Sequence, residues 1–170
     1  MISVWQQEKG TVVYPVLKGN KRTQVLVIGG GMAGILCARK LLEAGKDVIV
    51  VEAERIGSGI TARTTAVLTA QHDYLYQDMI KDFGKDTAQA YLHANLDAVE
   101  AFRKLSKKIP CDFEDKPSIQ FTAADPDRLR TETQTVNSLG YCARFTTEVT
   151  MPIEAAGAVA YPNMAQFHPL

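Results

Sequence analysis

Cysteine and histidine are scarce in this 170-residue sequence, and their scarcity excludes several kinds of site. The three cysteines, Cys37, Cys111 and Cys142, are widely separated and odd in number, so they predict neither a disulfide framework nor a metal-ligand spacing. The three histidines are equally scattered and do not form a zinc pattern. We therefore expect no metal site, and a reducing, cytoplasmic location.

Net charge and long apolar runs are also lacking. Nineteen basic and 19 acidic side chains give a formal net charge of zero, so no overall field attracts nucleic acid or an anionic membrane. No apolar run approaches the length of a membrane span, and the N-terminus lacks the basic-then-apolar order of a secretory signal. The remaining composition, 46% hydrophobic and 22% charged, is typical of a soluble globular protein.

A strand–helix–strand pattern is the clearest organised feature of the chain. The continuous apolar run Val25–Ile28 predicts a parallel strand that is covered on both faces. A helix is predicted over about 32–44, where Gly45 ends it, and a second buried strand is predicted at Val48–Val51. A carboxylate, Glu52, follows this second strand directly.

Glycines occupy the turn between the first strand and the helix in the pattern G-x-G-x-x-G. Gly29 allows the sharp turn, Gly31 lets the backbone approach a pyrophosphate, and Gly34 lets the helix pack closely on the strand. The helix directs its N-terminal N–H groups and positive dipole end at the same pyrophosphate. The predicted cofactor-binding residues here are Gly29, Gly31, Met32, Ala33 and Gly34.

An acidic residue at the end of the second strand completes the dinucleotide-binding pattern. Glu52, with Ala53 beside it, is predicted to accept hydrogen bonds from a ribose hydroxyl. The same carboxylate would repel a 2′-phosphate, so NADP is disfavoured as the ligand. A glycine-rich turn in a non-binding domain is the alternative interpretation, and the flanking strands and helix argue against it.

Later segments predict long helices alternating with β-like pieces. Apolar residues at three- and four-residue spacing indicate an amphipathic helix over 85–108. A strand is predicted over 111–122, with an edge position or bulge at Pro117. Asp125 and Pro126 are the N-cap and first residue of another predicted helix. Weak β-like segments are predicted at 11–14, 141–146 and 156–161.

The loop after Glu52 carries a resemblance to a known family. Its two pieces, Arg55-Ile56-Gly57-Ser58-Gly59 and Thr61-Ala62-Arg63-Thr64-Thr65-Ala66, resemble the N-terminal part of FAD-dependent amine and amino-acid oxidoreductases. D-amino-acid oxidase, glycine oxidase and sarcosine oxidase belong to this superfamily. The sequence is most similar to a bacterial branch that is sometimes fused to a Rieske domain, on the residues Ser3, Trp5, Leu68, Thr69, Gln71, His72, Gln166, His168 and Pro169.

The resemblance implies FAD as the cofactor and places the flavin half along this loop. Ser58, Arg63, Thr64 and Thr65 are the expected flavin-side residues, with Arg63 able to pair with a phosphate or a carboxylate. In dimethylglycine dehydrogenase relatives, a histidine that carries covalent flavin stands where this chain has Arg63. Arginine cannot form that bond, so noncovalent FAD is predicted.

The resemblance also implies the fold class and the reaction. The expected fold is α/β, with a partial Rossmann-like FAD-binding β-α-β portion and the beginning of an α+β substrate domain. We expect a leader at 1–22, an FAD-binding portion at 23–110 and an incomplete substrate-side portion at 111–170. The implied reaction is hydride transfer from a C–N bond of a small amine or amino acid to flavin.

Some expectations concern the chain by itself and the alternatives. The chain is expected to be an N-terminal fragment that is inactive alone, with exposed sheet edges that favour self-association. The alternatives are an NAD-dependent dehydrogenase and a non-catalytic nucleotide-binding fragment or pseudoenzyme. No catalytic residue is assigned, although His72 follows the flavin loop and is a candidate base.

Overall fold

The computed structural model describes residues 3–7, 12–148, 152 and 154–170. The chain forms two compact units, unit 1 (Met1–Ala66 with His168–Leu170) and unit 2 (Val67–Phe167). The boundaries between these units differ from the domain boundaries expected after residues 22 and 110. The expected boundaries stay a proposal about domain organisation. In the described residues, no helix has the length and apolar character that a bilayer crossing requires.

Unit 1 contains the predicted strand–helix–strand motif. Strands β1 (Val25–Ile28) and β2 (Val48–Val51) pair in parallel, in register from Val25 opposite Val48 onward. Helix α1 (Met32–Glu43) connects them. It ends at Gly45, whose φ of +74° lies in the left-handed region that glycine adopts at little cost. The sequence predictions for this motif are therefore confirmed.

One face of the β1–β2 sheet is open, in contrast to the prediction. Val27 faces α1, because a Cβ added at Gly34 of that helix would lie 3.4 Å from Val27 Cγ1. Leu26 and Ile28 point the other way, and they are 53% and 82% exposed. The expectation that β1 is covered on both faces is wrong for this chain, since α1 covers only one of them.

Unit 2 is built on an antiparallel sheet with its longest strand in the middle. Strand β6 (Gly157–Gln166) pairs along one side with β4 (Glu114–Thr122). Along its other side it pairs with the short strands β3 (Val67–Leu68) and β5 (Arg144–Thr146). The β4–β6 register shifts between Lys116 and Ser118, so the bulge predicted at Pro117 is confirmed.

Three helices pack in unit 2: α2 (Leu75–Phe83), α3 (Lys85–Ser106) and α4 (Pro126–Ser138). Ala88, Leu92 and Val99 of the apolar stripe predicted on α3 are buried. Helix α4 begins as predicted, with Asp125 accepting a hydrogen bond from the Arg128 N–H at 3.2 Å. The largest core side chains that are fully buried come from all three helices, from the residue after α4 and from β6: Tyr76, Leu92, Leu129, Leu139, Tyr161 and Met164.

Helix α2 has no counterpart among the predicted elements, and its N-terminus shows why. The residue before it, Tyr74, makes no side-chain cap. The carboxylate of Glu132 in α4, which is fully buried, instead accepts the Tyr76 N–H at 2.9 Å and the Gln77 N–H at 3.1 Å. This cap comes from 56 residues away, so no local pattern indicates where the helix starts.

The leader begins with a short 3-10 turn, Val4–Gln7. Of the β-like piece predicted at 11–14, Thr11 lies outside the described residues and 12–14 do not form a strand. The weak strand predicted at 141–146 is confined to β5, whereas the one predicted at 156–161 extends to Gln166. These differences are at the ends of elements, where local sequence is least decisive.

Candidate functional site

Backbone crowding at the β1–α1 turn explains why glycine is required there. Gly29 has a φ of +107°, a backbone angle that residues other than glycine rarely adopt. A Cβ added at Gly34 would lie 2.0 Å from the Gly29 carbonyl oxygen. A Cβ added at Gly30, the second residue of the turn, would lie 2.3 Å from Ile56 Cδ1. The turn is thus packed tightly against its own backbone and against Ile56, and it exposes backbone without side chains.

A threonine hydroxyl takes one of the N–H groups at the start of α1. Gly31, the N-cap, has no side chain to offer. The Met32 N–H donates instead to Thr61 Oγ1 at 2.9 Å, from the 3-10 turn Ile60–Arg63. The first turn of a helix leaves further N–H groups without intrahelical partners, and these together with the helix dipole favour an anion.

Glu52 lies against the glycine turn. Its Oε2 accepts the Gly30 N–H at 2.6 Å, and its Oε1 accepts the Glu54 N–H at 3.0 Å. The hydrogen bonds from Glu54 and Gly30 lower the pKa of Glu52 below its ordinary value, so it is ionised at neutral pH. Each carboxylate oxygen keeps acceptor capacity for another donor, such as a ribose hydroxyl.

The loop after Glu52 is tied to the same turn. The Gly57 N–H donates to the Gly30 carbonyl at 2.9 Å, and Gly57 is buried with a φ of +75°. The hydrogen bond places the loop residues next to Gly30, so the loop and the glycine turn form one continuous surface. Ser58 and the neighbouring Arg55 lie on that surface.

A cleft of about 640 Å³ opens over this surface in unit 1. Its volume is within the range of small-molecule sites. The lining residues are Trp5, Gln6, Val12, Tyr14, Gly30, Gly31, Met32, Ile35, Arg55, Ile56, Gly57, Ser58, Thr61, Ala62, His168, Pro169 and Leu170. Arg55 is the one permanently charged side chain among these described residues.

Only some of the residues predicted from sequence line the cleft. Gly31, Met32 and Ser58 do so. The others lie beside it in unit 1: Gly29, Ala33, Gly34, Glu52, Ala53, Arg63, Thr64 and Thr65. Arg63 and Thr65 are exposed, whereas the Thr64 carbonyl accepts a hydrogen bond from Trp5 Nε1 at 2.8 Å.

Other cleft residues were not assigned a site role from the sequence. Arg55 and Trp5 entered only through the family resemblance, and Tyr14 only as part of a β-like piece. Arg55 follows the acidic strand end closely, and that position is the signal that could have indicated it. No local signal exists for Trp5 and Tyr14, because they reach the cleft from the leader.

The candidate base His72 belongs to unit 2. Its Nδ1 lies 3.4 Å from the hydroxyl of Tyr91, and the two rings meet edge to face with centroids 5.9 Å apart. Partial burial of the ring lowers the pKa of His72 below its ordinary value, against the opposite effect of the Asp73 charge. In the described residues no cluster of three or more potential metal ligands occurs.

The geometry of the cleft suits a dinucleotide. Bare glycine backbone, a helix N-terminus and an arginine side chain are the groups that hold a pyrophosphate. A side chain at Gly34 would clash with the Gly29 backbone and so displace the turn from α1, and one at Gly30 would displace the end of the Ile56 side chain. The residues present therefore fit the FAD that the sequence predicts.

Similar sequences and structures agree with this geometry. The family described as "FAD dependent oxidoreductase" matches residues 24–170. The Bacillus subtilis (strain 168) protein named "Putative Rieske 2Fe-2S iron-sulfur protein YhfW" is 31% identical, over 98% of this chain and 33% of its own length. Gamma-glutamylputrescine oxidoreductase of Escherichia coli (strain K12) is 34% identical, over 63% of this chain and 25% of its own length.

Among solved structures, L-proline dehydrogenase from P. horikoshii has a TM-score of 0.70 at 21% identity, covering 88% of this chain and 39% of that chain. Glycine oxidase from Bacillus cereus ATCC 14579 has a TM-score of 0.60 at 19% identity, covering 87% of this chain and 40% of that chain. These two likenesses confirm the Rossmann-like α/β fold class. The chain spans about a third of its first curated relative. The family match over residues 24–170 shows that the chain belongs to the FAD-dependent oxidoreductases.

Proposed function

We propose that this chain supplies the dinucleotide-binding part of an FAD-dependent oxidoreductase that oxidises a C–N bond of an amine or amino acid. The observation that carries the proposal is the cleft over the β1–α1 turn, where Gly30 and Gly31 present bare backbone at the start of α1. When bound, FAD supplies the hydride acceptor, so the substrate leaves as an imine that water hydrolyses.

Each part of the cleft has a role in holding the cofactor. Gly31 and Met32 line the cleft at the start of α1, where the N–H groups that Thr61 leaves open suit the pyrophosphate, and Arg55 adds a positive charge for it. Glu52 receives the ribose hydroxyls on the lone pairs that the Gly30 and Glu54 N–H groups leave open. Thr61 holds the first turn of α1 in place while the ligand binds.

The cofactor is held without a covalent bond. Arg63 stands where dimethylglycine dehydrogenase relatives carry the histidine that bonds flavin, and a guanidinium cannot replace that imidazole. Ser58, Thr64 and Thr65 offer short polar groups and small side chains along the flavin half. Of these, Ser58 lines the cleft and Thr65 is exposed.

The names of the relatives support the proposed substrate class. One relative is named for the amine gamma-glutamylputrescine, and two structural neighbours are named for the amino acids proline and glycine. All three compounds contain a C–N bond whose carbon carries a hydrogen that can leave as hydride. A small amine or amino acid is therefore the proposed substrate, and nucleic acid is not a partner.

The chain by itself is proposed to bind FAD weakly and to lack turnover. Among the described residues, β1 and β2 pair only with each other, and Leu26 and Ile28 are exposed. Unpaired edges beside an open apolar face favour self-association. The cytoplasmic location expected from the cysteines stays a prediction that cell fractionation tests.

The direct test is to purify the protein from the complete reading frame and record its visible spectrum. Flavin absorption that survives dialysis, leaves the protein on acid precipitation and bleaches with an amine or amino acid is the expected result. Flavin that stays attached after precipitation would contradict noncovalent binding. A colourless protein that binds NAD would replace the proposal with the dehydrogenase alternative, and bound flavin without any bleaching would indicate a pseudoenzyme.

His72 stays a candidate base, and its role can be tested separately. Its lowered pKa keeps the imidazole neutral, and so able to accept a proton, over a wider range than usual. The variant His72→Gln should remove the acid limb of the pH profile of kcat/KM if His72 is that base. An unchanged profile would assign the residue to the surface contact with Tyr91.

A further inference from the structure

Trp5 joins the leader to the end of the cofactor loop. Its indole Nε1 donates to the Thr64 carbonyl at 2.8 Å, across 59 residues of sequence. The indole N–H is a donor only and normally finds an acceptor when it is partly buried, as here. This hydrogen bond fixes both the ring of Trp5 and the backbone of Thr64.

The ring of Trp5 is held from its other side and from its own turn. It meets the His168 ring edge to face, with centroids 5.0 Å apart and planes at 77°. The 3-10 turn that carries it is closed at Ser3, whose carbonyl accepts the Gln6 N–H at 3.0 Å and whose N–H donates to Gln6 Oε1 at 3.1 Å. Trp5 therefore lines the cleft from a folded turn.

Two later leader residues in the wall of the cleft are largely exposed. Val12 and Tyr14 also line the cleft, yet each is 67% exposed and neither belongs to a strand. Among the described leader residues, 3–7 and 12–22, Trp5 makes the only hydrogen bond that reaches outside the leader. Among these described leader residues, no other hydrogen bond joins this wall of the cleft to the loop.

We propose that Trp5 is a positioning residue for the cofactor: it fixes the Thr64 carbonyl and holds the leader as one wall of the FAD cleft. The inference rests on the proposed function, because it concerns the same cleft. It predicts that Trp5 contributes to FAD affinity although it precedes the glycine turn by more than 20 residues.

The experiment compares Trp5→Phe, Trp5→Ala and the control Val13→Ala in the protein from the complete reading frame. Phenylalanine keeps one aromatic ring but removes the N–H together with the pyrrole part of the indole, so the FAD dissociation constant should rise about fivefold, or about 1 kcal/mol. Alanine also removes the ring, and the rise should exceed about tenfold. Val13 is 78% exposed and does not line the cleft, so its variant should stay within about twofold.

Two further readouts separate positioning from a general loss of stability. The activity that Trp5→Phe loses at limiting FAD should be recovered as FAD is added, and FAD should dissociate from this variant faster than from the wild type. In the 170-residue chain Trp5 is the single tryptophan, so added FAD should quench its emission by energy transfer to the flavin.

The outcomes are distinct. If the wild type holds FAD and both Trp5 variants hold it within twofold of the wild type, the inference is overturned while the proposed function stands. FAD that binds the chain without quenching Trp5 overturns it as well. If the wild type holds no FAD, the proposed function fails, and the inference fails with it.

Discussion

Replacing Gly34 by alanine tests the cofactor turn at its most crowded point. The new Cβ would lie 2.0 Å from the Gly29 carbonyl oxygen, 3.2 Å from the Gly29 carbonyl carbon and 3.4 Å from Val27 Cγ1. An unstrained contact is about 3.5 Å, so the turn and α1 must separate by more than about 1 Å. The atoms that must move are backbone, and no rotamer change can relieve the clash.

Two opposing effects determine how much Gly34→Ala changes the free energy of unfolding. Overpacking of a rigid site costs about 3 kcal/mol or more, whereas alanine favours a helix by about 1 kcal/mol relative to glycine. The clash is the larger effect, so we expect the free energy of unfolding to fall by about 2 kcal/mol. Because Gly29 and Gly31 move with the turn, the FAD dissociation constant should rise at least about tenfold.

The assay is urea unfolding followed by circular dichroism, with an FAD titration on the folded protein. Gly59→Ala is the matched control, because a Cβ there meets nothing within 4 Å and φ is −76°. That variant should change stability by no more than about 0.5 kcal/mol. If Gly34→Ala folds with wild-type stability and binds FAD as tightly as the wild type, the packing argument for this turn is refuted.

Three further predictions concern other contacts. Thr61→Val should destabilise unit 1 by about 1 kcal/mol and weaken FAD binding, since the Met32 N–H loses its acceptor; Thr61→Ser should restore both, as measured by unfolding and titration. Glu132→Ala should cost about 2–5 kcal/mol and speed amide exchange at the start of α2, because two N–H groups lose their acceptor; unchanged exchange there would contradict this capping role. Burial raises the pKa of Tyr141 to about 12 from an ordinary value of 10.0. The protonated form is therefore favoured by folding, and this stability is complete below pH 10 and is lost toward pH 12; tyrosinate absorbance that develops fully at pH 10 with the fold intact would refute it.

Local sequence was sufficient for elements whose boundaries depend on their own residues. The β1–α1–β2 motif follows from its apolar runs and from glycines that the backbone requires, as the Gly34 contact shows. The start of α4 follows from Asp125, which caps it from the adjacent position. The bulge at Pro117 follows because proline cannot donate to a strand ladder.

Features that depend on distant partners were not predictable in the same way. Helix α2 begins where Glu132 of α4 reaches it. The faces of β1 could not be assigned from its sequence, because a continuous apolar run is the same whether one face or two are covered. At the cleft, Gly31, Met32 and Ser58 were predicted, whereas the contribution of Trp5 needed the contact with Thr64.

The glycine pattern, the acidic residue after β2 and the loop through Thr65 together determined the cofactor class and the family from sequence alone. They could do so because a tight turn and a bound pyrophosphate require particular residue types at positions that are close together in the sequence. Only the tertiary structure decided that Glu52 is bound to the Gly30 N–H and that the leader forms a wall of the cleft. Both depend on hydrogen bonds between residues far apart in the chain, and such pairs have no periodicity or spacing that a sequence can display.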